Sequence, residues 1–389
     1  MTTFSAPRRA AYRAALLAAL LMPLAACERL HDLVDDLGEA PIPEVAGLTT
    51  VAERYATERD PQDNVDSVAV WHGPDGQHWL LATAKETDRL LVYDASTGKP
   101  LQKVGQSGTE LGQFERPNGV FVIDDLALVV ERDNPRVQVL RLPDFEPLMH
   151  FGGDGERPLR KPYGLWAQKL ASGDYRVWVT DNYETADGEI PPPAELDQRV
   201  QQFLLRETAE GFVARPERHF GDTEGRGVLK IVESIWGDAA QGLLMVADEE
   251  QHAERNIKVY RLDGRFSGQR MGGGVFHFQP EGIALYTCAD GSGWWFAADQ
   301  GKQANYFHVF ERRSLEYHGS FSGQITLNTD GVWMTQHAFP GFAGGAFFAV
   351  HDDGNVAAFD LREVLRAMNL KTCAPPAPSA MPSPCAAPP

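Results

Sequence analysis

The chain has 389 residues, 43% of them hydrophobic, and a formal net charge of −18. It is long enough to bury a large core, and a single all-β domain of about 310 residues with two tails is the expected organisation. The charge argues against nucleic acid, whose phosphates demand basic grooves, and disfavours direct binding of any polyanion unless cations stand between.

At the N-terminus Arg8, Arg9 and Arg13 form a basic start. Ala14 to Leu21 is an apolar run too short to span a bilayer, and Leu24-Ala25-Ala26-Cys27 follows. This is a lipobox pattern. Residues 1–26 read as a lipoprotein signal peptide, Cys27 as the lipidated first residue of the mature chain, and residues 27–47 as a tether. The plain alternative is an ordinary cleaved signal with an incidental cysteine. Glu28 rather than Asp behind Cys27 predicts no retention at an inner membrane. The expected protein is therefore an exported monomer on the outer membrane, periplasmic or at the cell surface, touching the membrane by its lipid anchor only.

From residue 48 onward, a short polar step into Gly or Ser opens an apolar strand six times: Asp66-Ser67, Asn118-Gly119, Tyr163-Gly164, Glu233-Ser234, Glu281-Gly282 and Asp330-Gly331. The steps recur roughly every 45 to 50 residues, stretched once to about 70, which is the spacing of β-propeller blades. Each step leads into a first strand, a turn and a second strand, as in Val68 to Trp71 with Trp79 to Thr83. Most units add a third, such as Ile257-Lys258-Val259-Tyr260. The expected fold is all-β, a six-bladed β-propeller over residues 48–370. Leu48 to Tyr55 should complete the last blade, which lacks an outer strand of its own, and Leu361 to Leu370 should form a short closing helix.

A first blade strand lines the channel and the second runs antiparallel to it, so the steps share one rim with the second-strand ends. Those ends are Lys85-Glu86, Glu131-Arg132, Asp181-Asn182, Asp248-Glu249-Glu250, Asp299-Gln300 and Asp352-Asp353. Two carboxylates about 5 Å apart repel by about 3 kcal/mol at an effective dielectric near 20. A cluster of Asp66, Glu233, Glu249, Glu281 and Asp330 therefore calls for a hard cation with several oxygen ligands, Ca²⁺ above all. The plain alternative is that the polar-Gly steps are tight turns. Asn118 suits a turn, whereas Glu233 and Glu281 do not.

The remaining candidates point to structure. Cys288 reads as a lone buried hydrophobe. Cys373 and Cys385 bracket a Pro/Ala-rich tail, residues 371–389, expected to be disordered, and an oxidising compartment would let those two pair. His72, His277, His308 and His351 are scattered without ligand spacing, and no Gly-x-Ser-x-Gly elbow occurs. Trp236, Trp294, Trp295 and Trp333 read as blade packing, and the loop from Tyr183 to Leu196 as tolerated length on the rim face.

Several motifs together resemble the β-propeller phytases, six-bladed calcium-dependent enzymes that remove phosphate from inositol hexakisphosphate. Pro280-Glu281-Gly282-Ile283 with Asp299-Gln300-Gly301 looks like the family's Ile-Glu-Gly strand and Ser-Gln-Gly end. Glu233 followed by Glu249 looks like its fourth-blade calcium pair, Thr329-Asp330-Gly331 its Thr-Asp-Gly, and Tyr163-Gly164 its Tyr-Gly step. The resemblance covers about residues 60–365. Ser67, Val68, Glu86, Asn182 and Gln279 depart from it and leave fewer cations and acids than the family has. Blades two and three also resemble NHL-type repeats, through Pro117-Asn118-Gly119-Val120 and Arg132-Asp133-Asn134-Pro135.

The phytase resemblance implies a phosphomonoester hydrolase that uses a metal-activated water. Asp66, Glu233, Glu249, Glu281 and Asp330 would be metal ligands. Glu233, Glu281, Asp330 and Tyr163 would carry catalysis, and Lys85, Arg132 and Tyr163 would hold phosphate. The partner is then an inositol phosphate bound through Ca²⁺. Two other readings stay open. One is a non-catalytic lipoprotein propeller that binds a protein or surface ligand. The other is a calcium-dependent lactonase built on Asn118, Glu233 and Asp330.

Overall fold

The computed structural model describes residues 42–250 and 255–375. The signal segment, Cys27, most of the tether, and Cys385 with the rest of the tail lie outside the described residues. Among the described residues no helix is long and apolar enough to cross a membrane.

Six antiparallel sheets follow one another along the chain, which makes the six-bladed propeller. Their first strands are Val65–His72, Pro117–Ile123, Pro162–Lys169, Val232–Asp238, Gln279–Thr287 and Val332–Thr335. Their second strands are His78–Ala84, Leu126–Glu131, Tyr175–Asp181, Leu243–Asp248, Gly293–Gln300 and Ala346–His351. These strands read as nearly continuous apolar runs because each blade is covered on both faces by its neighbours. Outer strands such as Pro100–Val104 are largely exposed.

The expected N-terminal strand is split in two. Thr49–Thr50 pairs in parallel with Phe321 and Ser322 at the edge of blade five. Tyr55–Ala56 pairs antiparallel with Ala357 and Ala358 and supplies the fourth strand of blade six. One segment thus covers two edges, which removes the exposed ladders that an open ring would present. The closing helix runs Leu361–Ala367, capped by Asp360, whose carboxylate accepts from the Arg362 amide. It stops short of Leu370 because Asn369 takes a left-handed conformation, φ 52°.

The polar steps are neither turns nor plain strand starts. In the first five blades the pairing of first and second strand slips at the step, between Val65 and Val68, Pro117 and Val120, Pro162 and Leu165, Val232 and Ile235, and Pro280 and Ile283. Such bulges bend a strand and re-aim a side chain. They also bring neighbouring blades together. The Gly282 amide donates to the Asp330 carbonyl and the Gly331 amide to the Asp66 carbonyl, both at 2.8 Å. Thr83 and Thr180 hydroxyls donate to the Asn118 and Glu233 carbonyls, both at 2.7 Å. A Cβ at Gly331 would stand 2.6 Å from the Asp66 carbonyl oxygen, so glycine serves here for close approach rather than for a special φ.

The second-strand ends divide by strand alternation. Glu131, Asp181, Asp248 and Asp299 turn into their own blades. Asp181 accepts from the Arg160 and Lys161 amides, Asp248 from Lys230 and Ile231, and Asp299 from His277 and Phe278. Glu131 accepts likewise from the Glu115 amide. A residue of the third strand in each of these four blades, Gln138, Gln201, Lys258 or His308, reaches the same carboxylate. In blade six the ring nitrogen of His351 takes that place and accepts from the Leu327 amide. These four acids lock blades two to five to their entry loops.

Two sequence expectations change. Cys288 is not a lone hydrophobe: it is disulfide-bonded to Cys373. The start of the tail is accordingly fastened to blade five, where Ala374 also accepts from the Ala289 amide at 2.9 Å. Trp295 is blade packing as expected, but Trp236 and Trp333 meet Phe121 in the channel, with ring centroids 5.1 to 5.5 Å apart. Three aromatic rings from alternate blades thus plug the centre.

Candidate metal centre at the channel mouth

The bulged steps and the channel-facing halves of the second-strand ends gather at one mouth. Glu233 from the fourth step, Glu249 from the fourth second-strand end and Glu281 from the fifth step each place a carboxylate oxygen within 4.8 Å of the others. The Ser234 hydroxyl donates to Glu281 at 3.5 Å. Tyr163 hydrogen-bonds Glu233, so blade three joins the group.

Burial is the first cause of every shift here, and mutual repulsion adds to it. Glu233 is pushed up to about 8 by burial and by Asp66, with Lys85 and the Tyr163 bond opposing. Burial and Glu233 drive Glu249 well above the ordinary carboxylate range, and burial with Glu249 does the same to Glu281. Asp330 is raised by burial and by Asp66 and Asp353 against the pull of Lys85. Burial, then Glu233 and Asp66, hold the Tyr163 phenol protonated.

Asp66 has a different environment. Lys85 Nζ stands 2.7 Å from its Oδ2, and Asn118 Nδ2 donates to the same oxygen at 3.2 Å. Burial works against the charge on Lys85, but Asp66 and Asp330 keep it above the ordinary lysine value. Asp66 is thus already neutralised from within the chain, and Asp330 stands between this pair and the glutamate trio, hydrogen-bonded to Asp353. Arg132 lies at the rim in a bidentate contact with Asp133, at 2.8 and 3.4 Å. Asn182, where the phytase resemblance expects a lysine, accepts from the Val232 amide.

The donor set suits a hard cation. It is all oxygen, and Glu249 Oε1, Asp330 Oδ2 and Asn118 Oδ1 are buried without a hydrogen-bond partner. Unpaired buried acceptors are costly, and a cation satisfies several at once. Below the acids, a cavity of about 50 Å³ lined by the step glycines and serines ends on the aromatic plug. It has room for waters only, so a larger ligand would sit above, at the rim.

Of the residues picked from sequence, the structure joins Glu233, Glu249, Glu281 and Tyr163 directly, sets Asp330 beside them, and pairs Asp66 with Lys85. Sequence reasoning assigned no role to Asp353, and read Asn118 as a turn former or, in the lactonase reading, as a calcium ligand. Asp353 was discoverable as a second-strand end, whereas Asn118 was hidden because its donor role depends on the neighbouring blade.

No protein-family model and no curated protein matches the chain. Solved structures similar in backbone include hydrazine synthase of Kuenenia stuttgartiensis, 12% identical with a TM-score of 0.45 over 86% of this chain and 83% of that one. A chain of a nidogen–laminin complex is 14% identical, with a TM-score of 0.45 over 71% of this chain and 87% of that one. A chain of a BBS1N–ARL6DN complex is 8% identical, with a TM-score of 0.46 over 81% of this chain and 97% of that one. Likeness at this level carries no argument about activity.

Proposed function

We propose that the protein is a calcium-dependent phosphomonoester hydrolase acting on a polyanion of the inositol hexakisphosphate class, as the phytase resemblance implies. The observation that supports this best is the trio of half-buried Glu233 with buried Glu249 and Glu281, beside acceptor oxygens that have no partner. These three would hold the ion, with Asp330 and Asp353 on its flank. A bound hard cation supplies positive charge for phosphoryl oxygens and acidifies a water at neutral pH.

The chain's own groups do the rest. Tyr163, kept protonated, donates a hydrogen bond into the mouth. Arg132 at the rim, paired with the half-exposed Asp133, would hold a phosphate oxygen by the same bidentate geometry. Lys85 neutralises Asp66 and so lowers the negative charge that an anionic guest meets. Export and lipidation at Cys27 belong to the same reading, which places the enzyme on the outer membrane.

A second reading, a non-catalytic binding propeller, is favoured by one observation: Lys85 and Arg132 are both engaged with acids, and Asn182 with a backbone amide. Phosphate release from phytate by chelator-stripped protein, with and without Ca²⁺, decides between them. Turnover that appears with Ca²⁺ and is lost in Glu281→Gln supports the enzyme. An unchanged rate in chelator would sink the metal mechanism, and folded protein inactive in saturating Ca²⁺ selects the binding role.

A further inference from the structure

We propose that His72, His78 and His337 form a second metal site, at the end of the channel opposite the acidic mouth, for one first-row transition ion of the Zn²⁺ class. Each offers a ring nitrogen, and these three nitrogens all lie within 4.8 Å of one another. His72 closes the first strand of blade one, and His78 faces it across the hairpin at the start of the second. His337 comes from blade six, two residues past the end of its first strand. Six residues of strand separate His72 from Asp66, roughly 20 Å, with the aromatic plug between the two ends.

The spacing suits small, borderline ions with nitrogen ligands. Zinc binds imidazole at about 2.05 Å, so tetrahedral neighbours are about 3.3 Å apart. The His72 and His78 Nδ1 atoms stand 2.8 Å apart, and closing the trio on an ion needs a small spreading of that pair and an inward turn of His337. Two nitrogens at 2.8 Å with no ion between them must share a proton, and a metal ion replaces that proton. The opposite nitrogen of His72 lies 2.8 Å from the Thr335 hydroxyl, which also accepts from the His337 amide at 3.2 Å. A donor bond from Nε2 to Thr335 is the outer contact that leaves Nδ1 free as a ligand and fixes the ring.

The surroundings fit as well. Phe339 is buried against both His72 and His78, with ring centroids at 5.3 Å, and forms an apolar wall. His337 is exposed, so a fourth coordination position opens to solvent. Histidine pairs in one helix show themselves by spacing, but this trio comes from two blades and a hairpin, and nothing local in the sequence announces it.

The test uses chelator-stripped protein in excess Ca²⁺, which occupies the oxygen ligands of the mouth and leaves nitrogen ligands to the softer ion. Zn²⁺ alone is titrated by equilibrium dialysis, and Co²⁺ is followed by its visible absorption. Wild type should bind one Zn²⁺ per chain and give the Co²⁺ band of a nitrogen-ligated tetrahedral site. His337→Ala, exposed and so expected to fold, and His78→Ala should each weaken binding by about 10- to 100-fold or more, because loss of a ligand costs at least as much as loss of an outer partner. Glu281→Gln should bind Zn²⁺ as wild type does. Failure of wild type to bind, or equal binding by His337→Ala and wild type, overturns the site.

Discussion

The two ends of the channel are built from the same first strands and present opposite chemistry. At the mouth, bulged steps aim carboxylates inward and burial raises their proton affinity. At the far end, strand termini and a hairpin bring together imidazoles against a phenylalanine. One blade geometry thus gathers oxygen donors at one end and nitrogen donors at the other. Position along a strand, and not the fold itself, sets which donors each end presents.

The comparison breaks most visibly at Lys85. Removing one partner of a buried ion pair leaves the other charge uncompensated, at a cost of about 3 to 5 kcal/mol. Lys85→Met should lose stability on that scale in calcium-free urea unfolding, and less with Ca²⁺ present. A change below about 1 kcal/mol, the range of surface pairs, would show that the pair is solvated. Glu281→Gln should lower calcium-dependent phosphate release by about 100-fold, about 2.7 kcal/mol of transition-state stabilisation, while the protein stays folded. Retained activity would remove Glu281 from the metal site. Gly331→Ala should cost about 1 to 3 kcal/mol, because its Cβ would press on the Asp66 carbonyl at 2.6 Å; a neutral effect would deny the close approach of blades six and one.

The smallest effect is a pH dependence. Glu233 rises from 4.5 to about 8, and Glu249, Glu281, Asp330 and Asp353 shift in the same direction. Between those values the folded chain holds more protons than the unfolded one, so stability is greatest below about 4.5 for these groups and falls as pH rises towards 8. Metal-free protein should therefore melt lower at about pH 8 than at about pH 5.5, and Ca²⁺ should stabilise more at the higher pH and release protons on binding. A melting point indifferent to pH in the absence of metal would mean that the acids are not buried together.

The ring was legible because each step repeats with its apolar strand, and the gathering of Glu233, Glu281 and Asp330 follows from ring closure alone. What stayed hidden depends on which side of a strand a residue takes. Asp248 and Glu249 are adjacent acids, yet the first locks the blade to its entry loop and the second faces the channel. Composition cannot separate them, since only the strand register does. The Cys288–Cys373 bond joins residues 85 apart, and the histidine trio draws on two blades, which local spacing does not reveal.

The split N-terminal segment bears on how the molecule responds to pulling. Thr49–Thr50 lies on the edge of blade five and Tyr55–Ala56 on the edge of blade six, while Cys373 is bonded to blade five. Tension entering through the residues before Thr49 would meet a two-residue parallel clasp first and a second, antiparallel clasp behind it. Mechanical failure would then proceed in two stages, with blade five shedding its added strand before the ring itself is asked to open.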